Sequence, residues 1–161
     1  GLAVIDGKLY VIGETAIDGG RATLSSNQVL DPVAGTWTQL QPMPTQREDP
    51  EVVVVDGKIY VVGGALQEGD ICLPNLEVFD PMAGTWTQLP PMATPRHRFQ
   101  TSVIAGRLFA IGGFDNDGLI IASAEVFDPV VGTWTQLPPM ATARADFGAA
   151  SIDGKLYVAG G

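Results

Sequence analysis

Three arginines occupy one position in three similar segments, and the charged residues around them are the side chains of this chain best suited to recognition. The segments begin at Pro42, Pro91 and Pro139 and read PMPTQREDP, PMATPRHRF and PMATARADF, which places Arg47, Arg96 and Arg144 in one slot. Two residues further on the sign varies: Asp49, Arg98, Asp146. A guanidinium carries five donors in a rigid plane, so it serves either to bind neighbouring loop carbonyls or to grip a carboxylate on a partner. A residue that recurs in every copy favours the first use, and one whose charge changes marks where selectivity can reside.

Carboxylates crowd the neighbouring connections: Glu14, Asp18, Glu48, Asp49, Glu68, Asp70, Asp115, Asp117 and Asp146. They suit a basic partner, and serve equally as a solvated, charged rim. Asp115-Asn116-Asp117-Gly118 has the alternating oxygens of a cation loop, but Leu119 stands where a further ligand is required, so no metal is expected. His97 and Cys72 are the only histidine and cysteine. No histidine accompanies Cys72 in sequence, which reads as an unreactive loop thiol. Nucleophile elbows, phosphate loops and zinc spacings are absent, and no cofactor is expected.

The elements that hold these residues repeat. VLDPVAGTWTQL from Val29, VFDPMAGTWTQL from Val78 and VFDPVVGTWTQL from Val126 each read as strand, turn, strand. The proline presets φ, the aspartate bonds nearby amides, the glycine takes positive φ, and Thr-Trp-Thr alternates as a half-packed strand does. Between these outer hairpins lie inner ones: apolar runs on either side of Asp6-Gly7, Asp56-Gly57, Ala105-Gly106 and Asp153-Gly154. An Asp-Gly pair between apolar runs is the type I′ hairpin signal, and runs apolar on both faces require cover on both sides. The twenty glycines and twelve prolines recur at fixed offsets as turn residues, which argues for many short strands over low complexity.

Tryptophans at 37, 86 and 134 set repeat lengths of 49 and 48 residues, the period of about 50 residues and four strands of the kelch motif. The chain resembles the kelch family in its glycine pairs 63/64, 112/113 and 160/161, in Tyr10, Tyr60, Phe109 and Tyr157, and in the tryptophan of each outer hairpin. Gly13 departs from that pattern, being followed by Glu14. The resemblance implies an all-β fold: a β-propeller segment of four-stranded antiparallel blades. Its blades span 1–41, 42–90 and 91–138, and an inner hairpin over 139–161 begins a fourth.

Three and a half blades do not close a propeller, so further blades from a longer chain, or a second copy, are expected beside these. With strands a to d in each blade, the ab and cd turns are near-identical, while the bc connections differ (14–26, 65–74, 114–123). The bc and da end is therefore the expected binding face.

The resemblance implies an interaction scaffold taking a protein or peptide there, through Arg47, Glu48, Asp49, Glu68, Asp70, Arg96, His97, Arg98, Asp115, Asp117, Arg144 and Asp146. Arg96-His97-Arg98 looks like the stretch with which kelch substrate adaptors grip acidic peptides. The alternative is a sugar-processing enzyme of the sialic-acid mutarotase type, with Arg96, Arg98, Glu14, Glu48 and Glu68 converging on a carboxylated sugar. A copper oxidase is disfavoured, since the tyrosines occupy the repeated packing slot and one histidine is too few. A net charge of −9 speaks against nucleic acid and anionic lipid. No apolar run reaches the eighteen or so residues of a membrane-spanning helix and no signal peptide is evident, so no compartment is favoured.

Overall fold

A computed structural model describes residues 1–13, 25–66 and 71–161, with the backbone of 15–17 and 21–23. The first sheet holds β1 (Leu2–Ile5) and β2 (Lys8–Ile12); a small ribbon of β3 (Thr15–Ile17) and β4 (Arg21–Thr23) precedes its outer strands, β5 (Asn27–Asp31) and β6 (Thr36–Gln39). The second holds β7 (Glu51–Val55) and β8 (Lys58–Val62), then the ribbon β9 (Ala65–Leu66) and β10 (Ile71–Cys72), then β11 (Leu76–Asp80) and β12 (Thr85–Leu89). The third is β13 (Gln100–Ile104), β14 (Arg107–Ile111), β15 (Ala124–Asp128) and β16 (Thr133–Leu137). A hairpin, β17 (Phe147–Ile152) and β18 (Lys155–Gly160), follows. All pairings are antiparallel between neighbouring strands, as four-stranded blades require.

The turns form as their residues dictate. Asp6, Asp56, Ala105 and Asp153 have φ of 49 to 51°, and each is followed by a glycine at 72 or 73°. Ala105 adopts the left-handed conformation without the side-chain oxygen that eases it, at about 1 kcal/mol. In the outer turns Asp31, Asp80 and Asp128 each accept the amides two and three residues on, at 2.9 to 3.2 Å. The same aspartates meet Lys8, Lys58 and Arg107 of the inner turns at 3.0 to 3.4 Å. Inner and outer turns thus gather at one end of every blade. The connections carrying the candidate residues lie at the other.

The sheets stand side by side around their inner strands: β1 packs on β7, β7 on β13 and β13 on β17. Each interface is a separate apolar cluster. Tyr10, Ile12 and Met43 meet Ile59, Val61 and Phe79; Tyr60, Val62 and Leu76 meet Leu108, Ala110 and Phe127; Ile111 and Ala124 meet Phe147. Phe79 and Phe127 contact Trp86 and Trp134 with centroids 5.1 and 5.3 Å apart. Each indole Nε1 then crosses to the blade before, donating to the carbonyl of Gln41 or Pro90 at 2.9 Å. In the first blade Leu30 replaces the phenylalanine opposite Trp37, and that indole is 53% exposed.

The expectation that inner hairpins are covered on both sides holds for β8, where Ile59, Val61 and Val62 are fully buried. It fails for Leu2 and Val4 of β1 and for Ile152 and Tyr157 of the last hairpin, all more than half exposed. Those sheets have a neighbour on one flank only among the described residues.

Candidate functional site at the bc and da connections

The recurring arginine slot is interior. Arg47 donates through Nη1 to the carbonyls of Gly63 (3.1 Å) and Asn75 (3.3 Å), and its Nη2 lies 2.6 Å from Glu77 Oε2. Arg96 repeats the arrangement with Gly112 (2.8 Å), Ser123 (3.1 Å) and Glu125 Oε1 (2.9 Å). All four charged side chains are 0% exposed. The carboxylates are held in turn: Glu125 accepts the amides of Ala93 and Thr94, and Glu77 the Thr45 hydroxyl. Such a buried pair is costly to break from one side, because the survivor is a buried, uncompensated charge. Arg144, half-buried, donates to the Gly160 carbonyl, and no carboxylate faces it among the described residues.

Immediately after Arg47 and Arg96 the chain is stitched to the residue that follows the glycine pair of the same repeat. Glu48 exchanges backbone hydrogen bonds with Ala65, and His97 with Phe114. Gly64 and Gly113 have φ of 94°, and a Cβ there would sit 2.5 and 2.6 Å from the carbonyls of Glu48 and His97. The paired glycines of the sequence are therefore required by a close backbone approach as well as by conformation.

Asp49, Arg98 and Asp146 all hold left-handed backbone, φ 46, 48 and 52°. That conformation is uncommon for residues with a side chain, least costly for aspartate, and unusual for arginine. All three line a concavity of about 380 Å³, with Glu48 and Glu51 on its wall. Arg98 lies 3.8 Å from Asp146, with the two side chains 51% and 63% exposed, a solvated pair contributing well under 1 kcal/mol. Glu51 accepts the Thr101 hydroxyl at 2.8 Å and its amide at 3.2 Å, and burial pushes its carboxyl above the ordinary glutamate range. Four carboxylates face the Arg98 guanidinium and the Gly1 amino group, which leaves the cavity acidic on balance.

Other candidates fall elsewhere. With Arg96 fully buried and Arg98 at the rim, the Arg-Xaa-Arg stretch offers one guanidinium outward: the left-handed backbone at Arg98 breaks the extended run that would otherwise place residues two apart on one side. No histidine accompanies Cys72 in sequence, but the fold brings His97 Nδ1 to 3.2 Å from its Sγ. Burial raises the Cys72 thiol, while burial and then Arg98 lower the His97 imidazole, so both groups favour their neutral forms. A neutral thiol is a poor nucleophile. His97 stacks on Phe114, and Asn116 Oδ1 accepts the Cys72 amide at 2.6 Å, which locks three connections together. Asp115 Oδ1 accepts the amides of Asp117 and Leu119 and so closes its own turn; exposed Asp117 does not line the cavity. Glu14, Asp18, Glu68 and Asp70 lie outside the described residues.

Sequence reasoning passed over Glu77, Glu125, Glu51 and Thr101. A signal for the first two existed: Glu-Val-Phe-Asp occurs twice, placing a carboxylate on a packed strand at the repeat of the arginines, with Gln28 in the first copy. Glu51 gave none, since its counterparts in the other inner hairpins are Gly1, Gln100 and Gly148.

A family model described as the KLHDC2/KLHL20/DRC7 Kelch-repeats domain matches residues 1–161. The Kelch-like protein terF of Aspergillus terreus is 36% identical over 64 residues, covering 38% of this chain and 14% of its own length. Human Kelch-like protein 35 is 37% identical over 68 residues, covering 42% of this chain and 11% of its own. The solved structure of YjhT superposes with a TM-score of 0.79 over 98% of this chain and 56% of that one, at 17% identity, a likeness of fold.

Proposed function

Because the chain belongs to the kelch-repeat family and has its propeller fold, we propose that it is a protein-interaction scaffold binding a partner protein or peptide at the bc and da rim. The blades are read as 1–41, 42–90, 91–138 and the beginning of a fourth from 139, with further blades beside them. The observation that carries the binding site is the slot of Asp49, Arg98 and Asp146. Two aspartates and an arginine share one strained backbone conformation and meet at one cavity, where strain retained without a packing role marks a functional position. The acidic balance of that cavity favours a lysine- or arginine-bearing segment as ligand, with Arg98 selecting against badly placed cations.

Fluorescence anisotropy with lysine-rich and glutamate-rich peptides, at low and physiological salt, tests this reading. The basic peptide binds, its affinity falls with salt, Asp49→Asn with Asp146→Asn weakens it severalfold, and Arg98→Glu strengthens it. Preference for the acidic peptide, or indifference to both aspartates, would overturn the assignment.

A further inference from the structure

At the turn end of the blades, opposite the rim, two departures from the repeat fall on one groove. Three inner turns place aspartate before their glycine and the other places Ala105; two outer turns place alanine before theirs and the third places Val131. Both departures make the surface more apolar, and both residues line a groove of about 520 Å³ between the second and third blades, with Pro129 and Val130. Neither turn asks for them. Asp128 closes the outer turn through the amides of Val130 and Val131, which leaves both side chains without a part in it, and they stand 95% and 69% exposed. Ala105 is exposed in left-handed backbone that aspartate adopts more readily. Local preference alone therefore favours polar residues at these positions. Lys58 is turned to Asp80 and Arg107 to Asp128, both at 3.0 Å, so Asp56, which lines the same groove from the preceding blade, has no cation paired with it among the described residues. The neighbouring groove, about 330 Å³ between the first and second blades, differs: three aspartates and two lysines surround its apolar residues.

We propose that the groove between the second and third blades is a docking site for an extended segment of a partner protein that bears a bulky apolar side chain beside a lysine or arginine. The apolar side chain covers Ala105, Pro129, Val130 and Val131, and the cation meets Asp56. Charge complementarity selects this occupant. A purely apolar segment leaves Asp56 desolvated without a counter-ion, and an acidic one is repelled by it. A second copy joined through the same face brings its own Asp6, Asp56 and Asp153, unpaired among the described residues, to the interface, and like charges oppose it. The site is independent of what the rim binds.

The test is an amide-resolved NMR titration of the 161-residue protein with the end-capped peptide Gly-Ser-Phe-Lys-Ser-Gly and two versions of it, one with serine for the phenylalanine and one with glutamine for the lysine. The parent peptide is expected to shift the amides of Asp56, Gly106, Val130 and Val131. Serine for phenylalanine should weaken binding at least about fivefold, and glutamine for lysine about two- to fourfold, as for a solvated ion pair. Val130→Ser with Val131→Ser should bring the phenylalanine and serine peptides within about twofold of each other. Asp56→Asn should erase the preference for lysine and keep the fold, because Asn-Gly also favours a type I′ turn. No shift at these amides, shifts confined to Asp49, Arg98 and Asp146, equal affinity of the three peptides, or preferences that survive the variants overturn the proposal. So does a light-scattering mass that rises with concentration, or sedimentation with phosphatidylcholine vesicles, when the double serine variant abolishes it, since a second copy or a lipid surface then covers the groove. Asp49→Asn with Asp146→Asn leaves these shifts unmoved and diminishes those at the rim, so failure at either site is read separately.

Discussion

Two slots of one connection lie two residues apart and have opposite surroundings. Arg47 and Arg96 are sealed against Glu77 and Glu125, while Asp49, Arg98 and Asp146 stand in left-handed backbone at an open cavity. The first slot is uniform in sequence because one geometry is built at each junction between blades. The second varies because nothing behind it constrains the side chain, and it bears backbone strain with no packing to offset it. Within a repeat protein, then, recurrence with burial reads as architecture, and variation at fixed backbone geometry reads as selectivity.

The largest effect separating the slots is expected from Arg96→Met. Leaving Glu125 charged and buried should cost about 3–5 kcal/mol in urea denaturation, with much of the loss recovered by adding Glu125→Leu. A cost below about 1 kcal/mol would erase the distinction between the slots. Next comes the stitching between them: Gly113→Ala, with 2.6 Å to the His97 carbonyl, should cost more than about 2 kcal/mol. Gly132→Ala, whose added Cβ meets nothing within 4 Å, should cost about 1 kcal/mol for its φ alone.

At the outer slot, Arg98→Gly should shift stability by no more than about 1 kcal/mol, in the stabilising direction, because glycine removes the left-handed penalty and the lost ion pair is solvated. A marked loss of folding would assign Arg98 an architectural role after all.

The smallest effect is a pH dependence at the cavity wall. Burial raises the Glu51 carboxyl in the folded protein, so the unfolded chain gives up that proton first and the fold binds it more tightly. Its effect on stability is therefore most favourable below the ordinary glutamate range and declines as pH rises through the folded-state value, above which the penalty is constant. Glu51→Gln should match the parent at about pH 4 and gain on it towards about pH 7 in thermal melts. A parallel pair of curves would place Glu51 in water.

Most of the architecture was legible because its signals are local. Asp-Gly and Asp-Pro-Xaa-Xaa-Gly encode their turns through backbone preference alone, and the tryptophan spacing counts the sheets. The candidate site was legible as a region and not residue by residue. Arg96 and Arg98 look alike in sequence, but left-handed backbone at Arg98 interrupts the connection, so that one guanidinium enters the junction and the other stands at the rim. The glutamates that bury Arg47 and Arg96 lie 30 and 29 residues further on, and the histidine beside Cys72 is 25 away.

The sequence by itself determined which residues turn, which alternate, and how often the unit repeats, since φ preference and hydrophobic period act over a few neighbouring residues. Only the tertiary structure decided which arginine is neutralised and which glutamate is desolvated, because burial and charge pairing depend on which distant strand is laid alongside.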